Sequence, residues 1–154
     1  MERLVVAKQA ADLHSNGLAQ RILHRWLVDG DLEAHIARIR QAYGRQRDRM
    51  VELADALFPA GVTCTRPEGG MFLWVTLPEG CSSLELFERA IAEKVAFVPG
   101  QAFFAGGGGE NTMRLNFSNS DEARIDEGMR RLARVMRSLI GGEGRGSVPP
   151  TGRG

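Results

Sequence analysis

Residues 111–120 read NTMRLNFSNS, and this stretch decides how the second half of the chain is interpreted. Apolar Met113, Leu115 and Phe117 alternate with polar residues, which predicts a β-strand with one buried face. Arg114 lies in the middle of this strand, shortly before a helix start. The pattern alone leaves two interpretations open. Arg114 projects from the solvated face of a half-exposed strand, or it binds a carboxylate.

The segments around this strand predict a small α+β layer. Upstream, VTCTRPEGG and MFLWVTLPEG are typical of two strands joined by a Pro/Gly turn, and VAFVPG of a short third strand. Between them, SSLELFERAIAEK predicts a helix in which Ser82 and Glu85 have capping-box spacing. A final helix starts at Ser120 and Asp121 and runs through Leu139. This order predicts an α+β fold in which helices cover a small sheet.

The N-terminal part is predicted to be helical. The first 13 residues have helical periodicity, but no capping residue precedes Met1, so the helix frays or the chain begins inside a larger protein. The turn HSNG at 14–17 ends this helix, and a second helix covers about Leu18 to Val28. Asp31 then caps a long helix that ends at the FPAG motif, where a proline and a glycine follow.

Composition excludes several classes of function. The 154 residues suffice for one domain with a hydrophobic core, and a net charge of +1 gives no electrostatic case for nucleic acid or an anionic membrane. No membrane-helix or signal-peptide pattern is present, and Cys64 and Cys81 lack CxxC spacing. We therefore expect a cytoplasmic protein with reduced thiols and, since the histidines form no cluster, no metal site. The glycine-rich tail, 141–154, is predicted to be disordered.

Two glycine motifs admit more than one interpretation. GGGG at 106–109 is compatible with an anion-binding nest, but the Lys-Ser/Thr of a P-loop is missing, which favours a hairpin loop. Gly69 and Gly70, which precede a strand, imply a close backbone approach or positive φ angles. A tight turn explains one of these two glycines better than both.

The large aromatic residues are assigned to packing by default. In FVPGQAFF, at least two of Phe97, Phe103 and Phe104 are expected to pack in the core. Trp26 and Trp74 are expected in the core or at an interface.

In this order, RPEGGMFLWVTLPEG, VAFVPGQAFF and NTMRLNFS resemble the C-terminal part of fold-type I, class I/II aminotransferases, which use pyridoxal 5′-phosphate. The resemblance is to the branch of 2-aminoadipate, kynurenine and aromatic aminotransferases. Upstream, LVVAKQAADLHSNGLAQRILHRWL resembles the same branch, and the whole similarity covers about residues 3–140. It implies that 1–30 are a remnant of the large cofactor-binding domain, 31–60 a long interdomain helix, and 61–140 the small C-terminal domain.

The resemblance also implies roles for residues. Arg114 would bind the α-carboxylate of the substrate, because a guanidinium offers a planar pair of N–H donors matched to a carboxylate. Gly69 and Gly70 would let the chain pass close to the substrate, with Phe72 nearby.

A second implied site lies in the HSNG turn. Ser15 and Asn16 would lie close to the dimer interface and to the cofactor phosphate of the partner subunit in a full-length homodimer. This sequence has Asn16-Gly17 and Ala19 where hydroxyl residues are common in the family.

The sequence departs from the family at the catalytic lysine. In the family that lysine forms a Schiff base with the cofactor and lies in a Ser-rich loop of the S-x-S-K type, well upstream. The only two lysines here, Lys8 and Lys94, lack this context. We therefore expect a C-terminal fragment of an enzyme that transfers an amino group between an amino acid and a 2-oxo acid, with half of a substrate site and no catalytic residue.

Two alternatives remain open. One is a fragment of a transcription regulator with an aminotransferase-like effector domain. The other is a free-standing small domain that acts as a dimerising or regulatory partner.

Overall fold

The computed structural model describes residues 1–12 and 15–142. These residues form two units, Met1–Arg40 and the part from Gln41 onward, and the boundary falls inside a long helix. In the described residues, no helix is both long enough and apolar enough to cross a membrane.

The first unit is helical. Helix α1 is Glu2–Ala11 and helix α2 is Gly17–Asp29, and neither contains a buried residue. No side chain caps α1, as the sequence predicted, whereas the Asn16 Oδ1 accepts the Ala19 N–H at 3.0 Å and caps α2. Trp26 is 51% exposed and its ring packs edge-on against His35. The prediction that Trp26 packs in the core is thus wrong for this unit. The alternative prediction, that Trp26 lies at an interface, stays a prediction.

Helix α3, Leu32–Leu57, is the predicted long helix. It begins after Asp31, whose Oδ1 accepts the Ala34 N–H at 2.9 Å. Its part from Gln41 onward belongs to the second unit, where Met50 and Leu53 are buried.

The second unit is built on a four-stranded antiparallel sheet in the order β1-β2-β4-β3. The strands are β1 Thr63–Cys64, β2 Phe72–Thr76, β3 Val98–Pro99 and β4 Thr112–Asn116. Helix α4, Ser83–Ala92, follows β2, a short 3₁₀ helix η1, Gly100–Phe103, follows β3, and helix α5, Glu122–Gly142, follows β4. The predicted α+β fold, a small sheet covered by helices, is confirmed.

One face of the sheet forms the core. The side chains of Leu73 and Val75 in β2, and of Met113 and Leu115 in β4, are at most 5% exposed because alternate residues of both strands point to the same side. Apolar residues of α5 complete this core: Ile125, Met129, Leu132, Val135, Met136 and Leu139.

Helix α4 ends in a left-handed residue that is not glycine. The Lys94 N–H donates to the Ile91 carbonyl and the Val95 N–H to the Ala90 carbonyl, each at 2.9 Å, which is the Schellman arrangement. Lys94 has φ 60°, a conformation that normally selects glycine.

Some predictions need correction. Phe97 is buried at 7% exposure, but Phe103 and Phe104 are 45% and 42% exposed, so core packing holds for one of the three instead of two. The cap of α5 is Asp121, whose Oδ1 accepts the Arg124 N–H at 2.8 Å, and Ser120 precedes it. Helix α5 runs through Gly142, so the predicted disorder is wrong for 141–142, and the rest of the predicted tail lies outside the described residues.

Candidate functional site

Arg114 lies at the centre of β4, between the two neighbouring strands. It is the direct partner of Trp74 in β2 and of Val98 in β3. Since Met113 and Leu115 point into the core, Arg114 projects from the opposite face of the sheet. Phe72 and Trp74 are partly exposed on this same face, which we call the open face.

Two phenyl rings lie against the Arg114 guanidinium. Its Cζ is 4.0 Å from the ring centroid of Phe72 and 4.5 Å from that of Phe103. Both distances are within the range of cation–π attraction, which operates between a cation and the negative face of an aromatic ring. The Phe103 ring in turn meets Trp74 edge-on, with centroids 5.4 Å apart.

The hydrogen-bonding capacity of Arg114 is unused within the part of the chain that the structure describes. No carboxylate lies within ion-pair distance of it there, and its buried Nε atom has no hydrogen-bond partner. Arg49 shows the contrasting arrangement, because its Nε and Nη2 donate to both carboxylate oxygens of Asp126 at 2.6 and 2.5 Å. A partly buried arginine normally has such a partner. Because Arg114 has none among the described residues, its N–H donors are available to a carboxylate ligand.

The residues that carry Phe103 come very close to β4. Gly100, the first residue of η1, packs directly on Thr112. A Cβ atom at Gly100 would lie 2.8 Å from the Thr112 carbonyl oxygen and would overlap the Thr112 Oγ1. Only glycine permits this approach, which places η1 and hence Phe103 beside the open face.

Gly69 and Gly70 lie in an exposed bend directly before β2. Gly70 has φ +82°, so its conformation favours glycine, whereas Gly69 has neither a positive φ nor a crowded Cβ position. Arg47 holds the start of this bend by donating to the Pro67 and Glu68 carbonyls at 3.4 and 3.3 Å. The bend therefore requires one of the two glycines, and the proximity of both to a substrate stays a prediction.

Ser15 and Asn16 belong to the first unit. Both are exposed, and Asn16 uses its Oδ1 to cap α2, a structural role that the sequence analysis did not assign. Their predicted role at the cofactor phosphate stays a prediction.

The residues around Arg114 do not fit a covalently bound cofactor by themselves. Within the second unit the one lysine is Lys94, and it lines a cleft of about 410 Å³ together with the core-facing residues Leu115 and Ile125. In the first unit, Lys8 pairs with Asp12 along α1 at 3.2 Å. Among the described residues of the second unit, the open face thus presents a guanidinium and aromatic rings, while the unit's one lysine lines the cleft on the core side.

Sequence reasoning missed the roles of Trp74 and Phe103. The alternation of Phe72 and Trp74 with Leu73 and Val75 was a signal that both aromatic residues share one face. The contact of Phe103 with Arg114 had no local signal, because it depends on how η1 folds back over the sheet.

Comparison with known proteins gives the family. Residues 4–132 match the family model "Aminotransferase class I and II". The chain is 46% identical to 2-aminoadipate transaminase of Thermus thermophilus over 140 residues, covering 91% of this chain and 35% of that protein. It is 44% identical to aromatic-amino-acid aminotransferase 1 of Thermococcus litoralis, covering 89% and 33%.

A solved structure agrees in fold. The α-aminoadipate aminotransferase of Thermus thermophilus, complexed with N-(5′-phosphopyridoxyl)-L-leucine, superposes with a TM-score of 0.84 at 45% identity, covering 91% of this chain and 36% of that one. The chain thus spans about a third of the length of the relatives it matches.

The regulator alternative has weaker support. An HTH-type transcriptional regulator of Bacillus subtilis matches at 27% identity, covering 91% of this chain and 28% of that protein. Because the identities to the transaminases are far higher and the family model covers most of the chain, this protein belongs to the class I and II aminotransferase family.

Proposed function

We propose that this chain forms the C-terminal third of a pyridoxal-phosphate-dependent aminotransferase and that Arg114 binds the α-carboxylate of its substrates. The substrates would be an amino acid and a 2-oxo acid, both of which carry that carboxylate. The observation that carries the proposal is the Arg114 guanidinium, which lies on the open face without a carboxylate partner among the described residues. A planar pair of N–H donors binds a carboxylate through two parallel hydrogen bonds, which fix its orientation as well as its charge.

The remaining predicted site residues belong to the same proposal. Phe72 lies over Arg114 and would form a wall beside the bound carboxylate. The bend at Gly69 and Gly70 leads directly into Phe72, and this connection supports its placement near the substrate.

The cofactor and the lysine that attaches it would come from protein outside this chain. Ser15 and Asn16 precede the N-terminus of α2, and helix N-termini favour phosphate groups. This supports the proposal that they lie near the cofactor phosphate of the partner subunit in a homodimer. The cofactor would supply the chemistry of amino transfer, while this chain binds and orients the substrate.

A chimeric enzyme tests the proposal, because a relative supplies the cofactor-binding part of the protein. The part of this chain that aligns with the Thermus thermophilus 2-aminoadipate transaminase, 46% identical over 140 residues, would replace the corresponding stretch of that enzyme. We expect a folded chimera that catalyses amino transfer from an amino acid to a 2-oxo acid, as measured by coupled assay. The unmodified Thermus enzyme is the control. A chimera that folds and binds the cofactor like the control, yet transfers no amino group, would contradict the proposal.

A further inference from the structure

We infer that Phe72 and Phe103, the phenyl pair, are positioning residues that hold the Arg114 guanidinium in its carboxylate-binding orientation. The inference rests on the proposed function of Arg114. It assigns to Phe103 a role that its sequence pattern did not indicate, and to Phe72 a role through Arg114 in addition to its place beside the substrate.

The first argument is the geometry of the contacts. Among the described aromatic rings, only those of Phe72 and Phe103 lie over the guanidinium, at 4.0 and 4.5 Å from Cζ. An arginine side chain has four rotatable bonds, and no described residue fixes this one by a hydrogen bond or an ion pair. Ring contacts are thus the interactions that hold its head group.

The second argument is that Phe103 has little other reason to be there. It is 45% exposed, whereas Phe97 on the neighbouring segment is 7% exposed and belongs to the core. An exposed phenylalanine that contacts a cation and, in a T-shaped arrangement, the Trp74 ring does not stabilise the core by burial.

The third argument is that the backbone is adapted to place this ring. Gly100 packs on Thr112 so closely that no other residue fits, and η1 then carries Phe103 to the open face within one turn. Phe72 comes from β2, so the two rings reach Arg114 from different elements. Loss of one ring would leave the other contact and the strand intact.

The consequence is preorganisation. A guanidinium that is already oriented loses less conformational entropy when a carboxylate binds. Removal of a ring should therefore weaken carboxylate binding although Arg114 is still present. The effect should appear mainly in KM, because the carboxylate is bound in the ground state and in the transition state alike.

The test uses Phe72→Leu and Phe103→Leu in the chimera described above. Each should raise KM for the amino-acid donor by about 3- to 30-fold, with a smaller change in kcat. Phe103→Tyr keeps an aromatic face, so its KM should be close to that of the unsubstituted chimera. Phe104→Leu is the matched control, because Phe104 is equally exposed and contacts Trp74 with centroids 6.2 Å apart, but does not lie over Arg114. It should leave KM unchanged.

The single variant Arg114→Ala, measured beside the phenyl substitutions, separates this inference from the proposed function. If Arg114→Ala lowers kcat/KM by roughly 30-fold or more and neither phenyl substitution changes KM, the inference is wrong and the proposed function stands. If Arg114→Ala itself keeps normal KM and kcat, the proposed function is wrong.

A second measurement uses the 154-residue chain itself and needs no enzyme activity. Aromatic ring currents should displace the Arg114 Nε–H NMR resonance, and its order parameter should be high. Phe103→Leu should reduce both, whereas Phe104→Leu and Phe103→Tyr should preserve them. An Arg114 Nε–H that is equally ordered in Phe72→Leu, Phe103→Leu and the unsubstituted chain would overturn the inference.

Discussion

Trp74 and Arg114 are direct partners across the β2–β4 pair, and both project from the open face of the sheet, opposite the core. This register brings a cation and an aromatic residue together on one face of the sheet. Their neighbours along the strands, Leu73 and Met113, point into the core on the other face. The sheet is thus divided into a packing face, which is buried in the core, and an open face, which carries the proposed carboxylate site.

The apolar residues of α2 should cause association of the isolated chain. Ile22 and Trp26 are 62% and 51% exposed and lie four residues apart, so they form one apolar stripe along the helix. We expect the chain to form oligomers in light-scattering-coupled gel filtration and to bind a hydrophobic dye.

Substitutions test this stripe directly. Ile22→Lys and Trp26→Lys should shift the chain towards monomer, whereas His24→Lys, a matched control elsewhere on α2, should not. A monodisperse monomer of the unmodified chain without dye binding would contradict the prediction.

Lys94 should be replaceable by glycine with a gain in stability. Its left-handed φ of 60° costs a residue with a side chain about 1 kcal/mol, and glycine adopts it without strain. We expect Lys94→Gly to raise the free energy of unfolding by about 0.5–1 kcal/mol in urea titrations. Ala92→Gly, inside the same helix, should instead lower it by about 1 kcal/mol. If both variants lowered the free energy of unfolding by the same amount, α4 would not end in this conformation.

The Arg49–Asp126 pair should make stability depend on pH. Bidentate hydrogen bonds from Arg49 hold the pKa of the Asp126 carboxyl below its usual range. The ionised form is therefore favoured in the folded state, and its contribution is present above the unfolded pKa of about 4 and lost as the pH falls through the folded value.

Asp126→Asn tests this dependence. The variant should have a lower Tm than the unsubstituted chain at pH 7, and the difference should shrink in acid. The control Glu122→Gln affects an exposed pair with Arg45 at 3.6 Å and should lower Tm less. A difference for Asp126→Asn that stays constant from pH 7 to acid would argue against the pair.

The isolated chain should not attach pyridoxal phosphate covalently. Lys8 pairs with Asp12 on α1, and Lys94 terminates α4 beside a cleft on the core side, so neither lies in a cofactor-binding loop. After incubation with the cofactor and reduction with borohydride, mass spectrometry should detect no stoichiometric adduct. A single stoichiometric adduct on either lysine would contradict this expectation, and scattered substoichiometric labelling would not.

The local elements were predictable because their signals are local. The alternation around Arg114 predicted β4, and Asp31 marked the start of α3 correctly. The predicted start of α5 was less exact for a physical reason: Ser120 and Asp121 are both capping residues, and the side chain of Asp121 is the one that reaches the Arg124 N–H.

The composition of the site was only partly predictable. Arg114 and Phe72 could be proposed from the resemblance. The period of two in β2 was a signal that Trp74 shares a face with Phe72, but Trp74 was assigned to the core or an interface instead. Phe103 could not be assigned, since its neighbour Phe97 has the same residue type and a different environment. What separates them is the close packing of Gly100 on Thr112, which is a long-range contact that no local pattern encodes.

The central claim is that Arg114 binds the substrate carboxylate, and steady-state kinetics of Arg114→Ala in the chimera test it most directly. Removal of one partner of a charge-assisted pair costs roughly 2–5 kcal/mol, so kcat/KM should fall by roughly 30- to several-thousand-fold. The loss should be the same for every amino-acid donor and 2-oxo-acid acceptor, because all share the carboxylate. Arg114→Lys should recover little, since an ammonium cannot match the planar pair of donors, and Tm should change little in either variant. Near-normal kcat/KM in Arg114→Ala, or a loss explained entirely by unfolding, would contradict the claim.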